Sequence, residues 1–137
     1  MVQICLAILI LYWIGLYSYG FITGLDPYAL STNLVLVIDS TILGENHLYG
    51  GTGIQFDPEG LLSTLPSVVT VIIGFLVGTM IKTTKDHNDN CQRMLILGSL
   101  MIILGWIWGF MFPINKQLWT SSYVLYTAGI GTIILST

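Results

Sequence analysis

Charge is what this sequence has least of. Of its 137 residues only 8% are charged, four basic and seven acidic, while 54% are hydrophobic. A water-soluble domain carries about 25% charged residues. Too little polar surface is available to face water at ordinary density, so the expected solvent is bilayer lipid. Four basic side chains are also too few to neutralise a phosphate backbone, which excludes nucleic acid as a partner. Cysteine is almost missing. Cys5 and Cys91 lack any metal-ligand spacing and lie near the ends of apolar segments, where a thiol acts as a small hydrophobe. No metal is expected. The first segment also lacks the basic start of a cleaved signal peptide, and its apolar run exceeds the usual 7–15 residues or so.

What is there is long apolar runs. Residues 1–25, 61–81, 94–115 and 117–137 carry no charge at all. Each approaches the roughly 20 residues that cross about 30 Å of hydrocarbon as a helix. Barrel alternation is missing from all of them, so helices are the structure that satisfies every backbone group. Lys116 alone divides the last two runs, and the cost of a mid-membrane lysine favours a turn there. The expected fold is an all-α, polytopic membrane bundle. Its spans lie at about 2–23, 61–81, 94–113 and 119–137, joined by loops 24–60 and 82–93. Lys82, Lys85 and Arg93 mark the shorter loop, whereas Asp26, Asp39, Glu45, Asp57 and Glu59 mark the longer one. Basic loops stay inside. Loop 82–93 and both termini are therefore expected in the cytoplasm, with loop 24–60 outside. The aromatic residues Tyr17, Tyr19, Phe21, Trp106, Trp108, Phe110, Phe112, Trp119 and Tyr123 fall at the outer ends, as an interfacial belt or a stacking platform for a sugar ring. Neither end of the chain has a polar flank, so the expectation is a piece of a longer membrane protein.

Loop 24–60 is long for a helical bundle, where connections take about 2–8 residues. Within it, DPYALSTNLVLVIDSTILG opens on Asp26-Pro27 and closes on Gly44, which predicts a short interfacial or re-entrant helix. A strand over 34–38 is the alternative. FDPEGLLSTLPS follows. Asp57 suits an N-cap, Pro58 a first helical position and Glu59 the positive end of the helix dipole. On that reading Pro66 falls inside the span and kinks it. Alternatively Ser63 starts the helix and 57–62 forms a separate turn. Either way the backbone near Leu62 is expected to lose a partner, which favours a watery cavity mouth beside it. Lys116, on the same side, is the one basic residue able to pair with Asp57 or Glu59, or else it snorkels. Gly74 and Gly78 form a small-xxx-small face that lets another helix approach closely. His47 lies in a glycine-rich turn, and His87 is expected to be solvated in the inner loop.

FDPEGLLSTLPSVVTVIIGFLVG and FPINKQLWTSSYVL together resemble the heparan-alpha-glucosaminide N-acetyltransferase family, as does IDSTILGENHLYG upstream. The resemblance runs from about Asp26 to Tyr126. It extends to bacterial relatives, some labelled as transporters related to N-acetylglucosamine. It implies a membrane acetyltransferase of ten or eleven spans, which moves an acetyl group from acetyl-CoA, the donor substrate, to an amino sugar across the membrane. This chain would supply middle to later spans and assemble with the rest, in a bacterial cytoplasmic membrane. The family's catalytic histidine has no counterpart here, since neither His47 nor His87 matches it. No catalytic residue is therefore assigned, and the segment alone is expected to be inactive. Asp57, Glu59, Asn115, Lys116 and Trp119 fall in the family's motifs and are the candidate substrate-binding residues. The competing readings are a sugar transporter or its accessory subunit, and a structural bundle. Against ion-coupled transport, the span interiors hold no ionisable residue.

Overall fold

The structure is a computed structural model that describes residues 1–51, 53–84 and 86–136. Among these, five α-helices form and no strand: α1 Val2–Thr23, α2 Leu34–Leu43, α3 Thr64–Thr83, α4 His87–Trp108 and α5 Ser121–Ile134. A 3₁₀ turn, Glu45–His47, follows α2. Three of the helices, α1, α3 and α4, are long and apolar enough to cross a membrane. At a rise of about 1.5 Å per residue, the 14 residues of α5 reach about 21 Å, short of a full hydrocarbon core.

The distribution of side chains inverts that of a soluble protein. Phe21, Ile22, Val71 and Phe75 stand on the surface, whereas Thr120, Ser121 and Ser122 are fully buried. Lipid explains both halves of the pattern. Apolar surface costs nothing there, and hydroxyls must find partners inside the protein. They do. Ser121 Oγ donates to the carbonyl of Leu9 on α1 at 2.7 Å, and Ser122 Oγ donates to the carbonyl of Phe112 at 2.6 Å. Tyr12 on α1 donates its hydroxyl to the carbonyl of Leu118 at 2.6 Å. Tyr12→Phe is expected to lower stability by about 1 kcal/mol, because a buried interhelical bond disappears and a carbonyl is left unpaired. Thermal unfolding in detergent reads this directly, and an unchanged midpoint would show that Leu118 finds another donor.

Helix α4 lies against α5 so closely that a Cβ at Gly98, Gly105 or Gly129 would fall within 2.8 Å of the facing helix. Gly74 and Gly78 have nothing within 4 Å, so the small-residue face anticipated on α3 is open and the close seam lies elsewhere. Helix α3 packs on α5 and α1, and α2 leans on α1. One apolar cluster joins Cys5, Leu9, Val69 and Val124 within the bundle. The other, at one end, joins Tyr12, Leu16, Val35, Phe56, Phe112 and Leu118. Loops 24–63 and 109–120 therefore share that end, and Tyr28 Oη donates across them to the carbonyl of Met111 at 3.1 Å. Phe112, expected in an aromatic belt, is instead fully buried in this cluster.

Helix boundaries differ from expectation where polar residues cap. Asp26 does not start α2. Its carboxylate is occupied by the amide of Tyr28 at 2.8 Å. Asn33 caps instead, accepting from Leu36 N at 2.9 Å while donating to the carbonyl of Ala29 at 2.8 Å. Residues 34–38 are helical, not extended, and Gly44 closes the helix by donating to the carbonyl of Ser40. Helix α3 begins at Thr64 rather than at Asp57, so 57–62 is a separate turn. Pro66 consequently sits in the first turn, where its missing N–H has no intrahelical partner to lose. The carbonyl of Leu62, expected to be orphaned, accepts from Leu65 N at 3.2 Å. Helix α4 starts at His87, before the apolar run, because Asp86 accepts from Asn88 N at 2.9 Å and the first two turns are polar. His87 and Arg93 are thus helical rather than in a loop. Arg93 pairs with Asp89 at 3.4 Å on the exposed face. Lys85 and Thr137 lie outside the described residues.

Candidate functional site

At the loop end of the bundle, a cavity of about 610 Å³ opens between Tyr49, Asp57, Pro58, Glu59, Lys116, Gln117 and Trp119. That volume falls in the range of roughly 300–1,000 Å³ typical of small-molecule sites. Two sequence motifs about sixty residues apart build it, and each is held by its own backbone.

The acidic wall is the turn 57–62. Asp57 Oδ1 accepts from Glu59 N at 2.9 Å, and Gly60 N donates to the Asp57 carbonyl at 3.2 Å. The buried Ser63 stands at the N-cap position of α3, as the alternative reading expected, but its side chain makes no capping bond. Its hydroxyl reaches the carbonyls of Pro58 at 2.9 Å and Gly60 at 3.0 Å, tying the turn to the helix start. Phe56 anchors the turn from the core, and its amide donates to the Tyr49 carbonyl at 3.1 Å. That bond brings Tyr49 into the cavity lining.

The opposite wall is the segment 115–120. Asn115 Oδ1 accepts from Gln117 N at 2.8 Å, and Thr120 Oγ1 accepts from Asn115 N at 3.0 Å while donating to the Pro113 carbonyl at 2.9 Å. This closes a tight loop that leaves Lys116 exposed at its tip. Trp119 takes a positive φ of 50°, a region that costs a large side chain of order 1–3 kcal/mol. Its ring is held there by an Nε1–H donated to Thr70 Oγ1 at 3.2 Å and by an edge contact with Tyr123 at 5.5 Å. A strained aromatic residue fixed on a cavity wall is a pattern of functional sites.

Of the five residues singled out in the sequence, the structure brings Asp57, Glu59, Lys116 and Trp119 to this cavity. Asn115 is not in its lining and instead shapes the loop beneath Lys116. The one ion pair among the described residues is Arg93–Asp89, so no pair within 4.0 Å joins Lys116 to either carboxylate. The cavity is therefore lined by carboxylate acceptors from one segment, an exposed ammonium from the other, and the rings of Tyr49 and Trp119. Carboxylates can take hydrogen-bond donors, the ammonium acceptors, and an indole an apolar face.

Sequence reasoning missed Tyr49 and Gln117 as lining residues, and it counted Asp39 only among the acids of the longer loop, with no role at the site. Asp39 is 1% exposed on α2, and its Oδ1 accepts from Leu61 N at 3.1 Å. Burial pushes its carboxyl above the ordinary value, the amides of Leu62 and Leu61 pull the other way, and the nearby charge of Asp57 adds to the rise. A lone acid inside LVLVIDSTIL was the available signal.

Fold and site define a helical membrane protein with a polar, aromatic cavity among its loops at one end. The chain is 36% identical to the heparan-alpha-glucosaminide N-acetyltransferase of Mus musculus over a 114-residue alignment, and 31% identical to that of Homo sapiens. Each alignment covers 72% of this chain and 17% of the relative, so the chain spans about a sixth of the length of the curated relatives it matches. No family model matches it. The sequence is a relative of the heparan-alpha-glucosaminide N-acetyltransferases, the family that it was expected to resemble.

Proposed function

We propose that this chain is part of an integral membrane acetyltransferase and that its loop-end cavity receives the amino-sugar acceptor. The observation that carries the reading is the meeting of Asp57, Glu59, Lys116 and Trp119 around one space of suitable volume. Kinship with proteins named for N-acetyl transfer to a glucosaminide supports the acceptor class. The acetyl donor is acetyl-CoA as a substrate, and the attacking machinery lies in other spans of the complete protein. The segment alone is inactive. In this reading Asp57 and Glu59 accept from the sugar's hydroxyl and ammonium groups, Trp119 stacks against its ring, and Lys116 faces the developing negative charge or the donor.

Membrane placement follows the same proposal. Helices α1, α3 and α4 cross a bacterial cytoplasmic membrane, α5 crosses with its flanking turns, and α2 lies at the outer interface. The cavity then faces outward, and the start of α4, with Arg93, faces the cytoplasm. Lys82 and Arg93 at the end opposite the cavity, against Lys116 alone at the cavity, support this direction.

The test is acetylation of glucosamine by the complete protein in membranes supplied with acetyl-CoA. Trp119→Ala is expected to lower kcat/KM for the sugar by about 10–100-fold, the scale of one lost stacking contact, with little change in the KM for acetyl-CoA. Concentrative sugar uptake without acetylation would replace the transferase by a transporter. Equal activity of wild type and Trp119→Ala would remove the cavity from the acceptor's path.

A further inference from the structure

Among the described residues Asp39 is the one buried carboxylate, and it lines no part of the cavity. It sits behind the cavity's acidic wall. Oδ1 accepts from Leu61 N, whereas Oδ2 is buried without a hydrogen-bond partner. Gly60 lies so close that a Cβ there would overlap Oδ2. The absence of a side chain at 60 is thus what allows the carboxyl group to reach under the turn. No cation lies within 4.0 Å of it among the described residues. The groups facing it are Asp57 from the turn and Tyr12 from α1, and the Tyr12 hydroxyl is committed to Leu118. Burial away from any cation favours the neutral acid, while the amides of Leu62 and Leu61 favour the carboxylate without outweighing it.

We infer that Asp39 is a positioning residue for the cavity, a latch that fastens the turn 57–62 to α2 through Leu61 N and so holds Asp57 and Glu59 at the wall. The latch is a device of the fold and stands without the acceptor assignment. Its bearing on ligand binding rests on the cavity being the amino-sugar site. The direction with pH follows from its burial. A carboxyl group that burial raises contributes stability fully present below its ordinary titration range. That stability is lost as pH rises through the raised value. The turn is therefore held most firmly in mild acid and loosens as Asp39 ionises.

Amide hydrogen exchange at Leu61, corrected for the intrinsic rate, tests this on the complete protein in nanodiscs between about pH 4 and pH 8. Wild-type protection is expected to fall about tenfold across the titration, the equivalent of one hydrogen bond. Asp39→Asn keeps an acceptor oxygen and similar shape but cannot titrate, so its protection should be flat with pH. Asp39→Ala should be poorly protected throughout, with unchanged helical content. Equal Leu61 protection in wild type and Asp39→Ala would overturn the latch. Wild-type protection as flat as that of Asp39→Asn would overturn the role of the proton, and this comparison decides even if Asp39→Ala fails to fold. Glucosamine titration followed by tryptophan fluorescence separates the second reading. The latch predicts weaker binding in Asp39→Ala and recovery without pH dependence in Asp39→Asn. Absence of wild-type binding, with the exchange pattern intact, would sink the acceptor assignment and leave the latch standing.

Discussion

Gly129→Val is expected to separate α4 from α5 and to cost the bundle about 1–3 kcal/mol or more, the range of an overpacked core. The reason is backbone against backbone. A Cβ at Gly129 would come within 2.7 Å of the Gly98 carbonyl oxygen and 2.8 Å of Ile102 N. The relation is reciprocal, since a Cβ at Gly98 would sit 2.8 Å from the Gly129 carbonyl oxygen. One turn or two further along, Gly105 would meet Tyr126 N at 2.7 Å and the Ser122 carbonyl oxygen at 2.8 Å. Flexible side-chain tips could swing away, but helix backbone cannot. In lipid there is little hydrophobic drive between helices, so close van der Waals packing supplies most of the association. Separating this seam also tilts the segment 109–120, which hangs between the two helices and carries Lys116 and Trp119. Thermal unfolding in detergent, followed by far-UV circular dichroism, should show a large drop in midpoint. Gly131→Ala provides the control. It has open space for a Cβ, so it should be neutral or slightly stabilising through helix propensity. If both substitutions behaved alike, the seam would not be the source of cohesion.

The contrast between these glycines shows what the sequence could and could not reveal. Charge-free runs located the long helices, because the length needed to cross hydrocarbon is set by geometry alone. Their ends moved because capping is decided by side-chain geometry. Asp86 extends α4 into a polar stretch, and the separate turn 57–62 delays α3 to Thr64. Glycine spacing on α3 looked like a packing face, yet the tight contacts formed on α4 and α5. Small residues permit close approach without saying which helix arrives. The cavity was legible to the extent that its two halves are short motifs at the same ends of neighbouring spans. Asn115 could not be told from its neighbours by sequence, since a loop cap and a lining residue have the same polarity. Asp39 was harder still. Its burial depends on a turn that returns to it 22 residues later, a contact that no local pattern encodes.

Gly60→Ala carries the second large effect, and it acts through that contact. Gly60 is buried, and its φ lies outside the left-handed region, so backbone freedom is not why glycine stands there. Space is. An added methyl group would land on the Asp39 carboxylate and 3.1 Å from the Asp57 carbonyl oxygen. Either Asp39 rotates away and Leu61 N loses its acceptor, or the turn lifts off α2 and carries Asp57 and Glu59 with it. Both routes are expected to cost about 1–3 kcal/mol. Alanine in place of Asp39 makes room for the methyl group, so the double variant Asp39→Ala, Gly60→Ala should be less damaged than the sum of the two single variants. A coupling of about 0.5–3 kcal/mol is expected for residues in direct contact. The readout is the unfolding midpoint of all four proteins in one detergent, together with the reactivity of a cysteine introduced at Glu59 toward a bulky thiol reagent. Reactivity should rise in Gly60→Ala and fall back toward wild type in Asp39→Ala, Gly60→Ala only as far as the core anchor Phe56 can hold the turn alone. Strict additivity of the two substitutions would mean that Gly60 and Asp39 do not share the space between α2 and the turn, and the acidic wall of the cavity would then have to be held by Phe56 and Ser63.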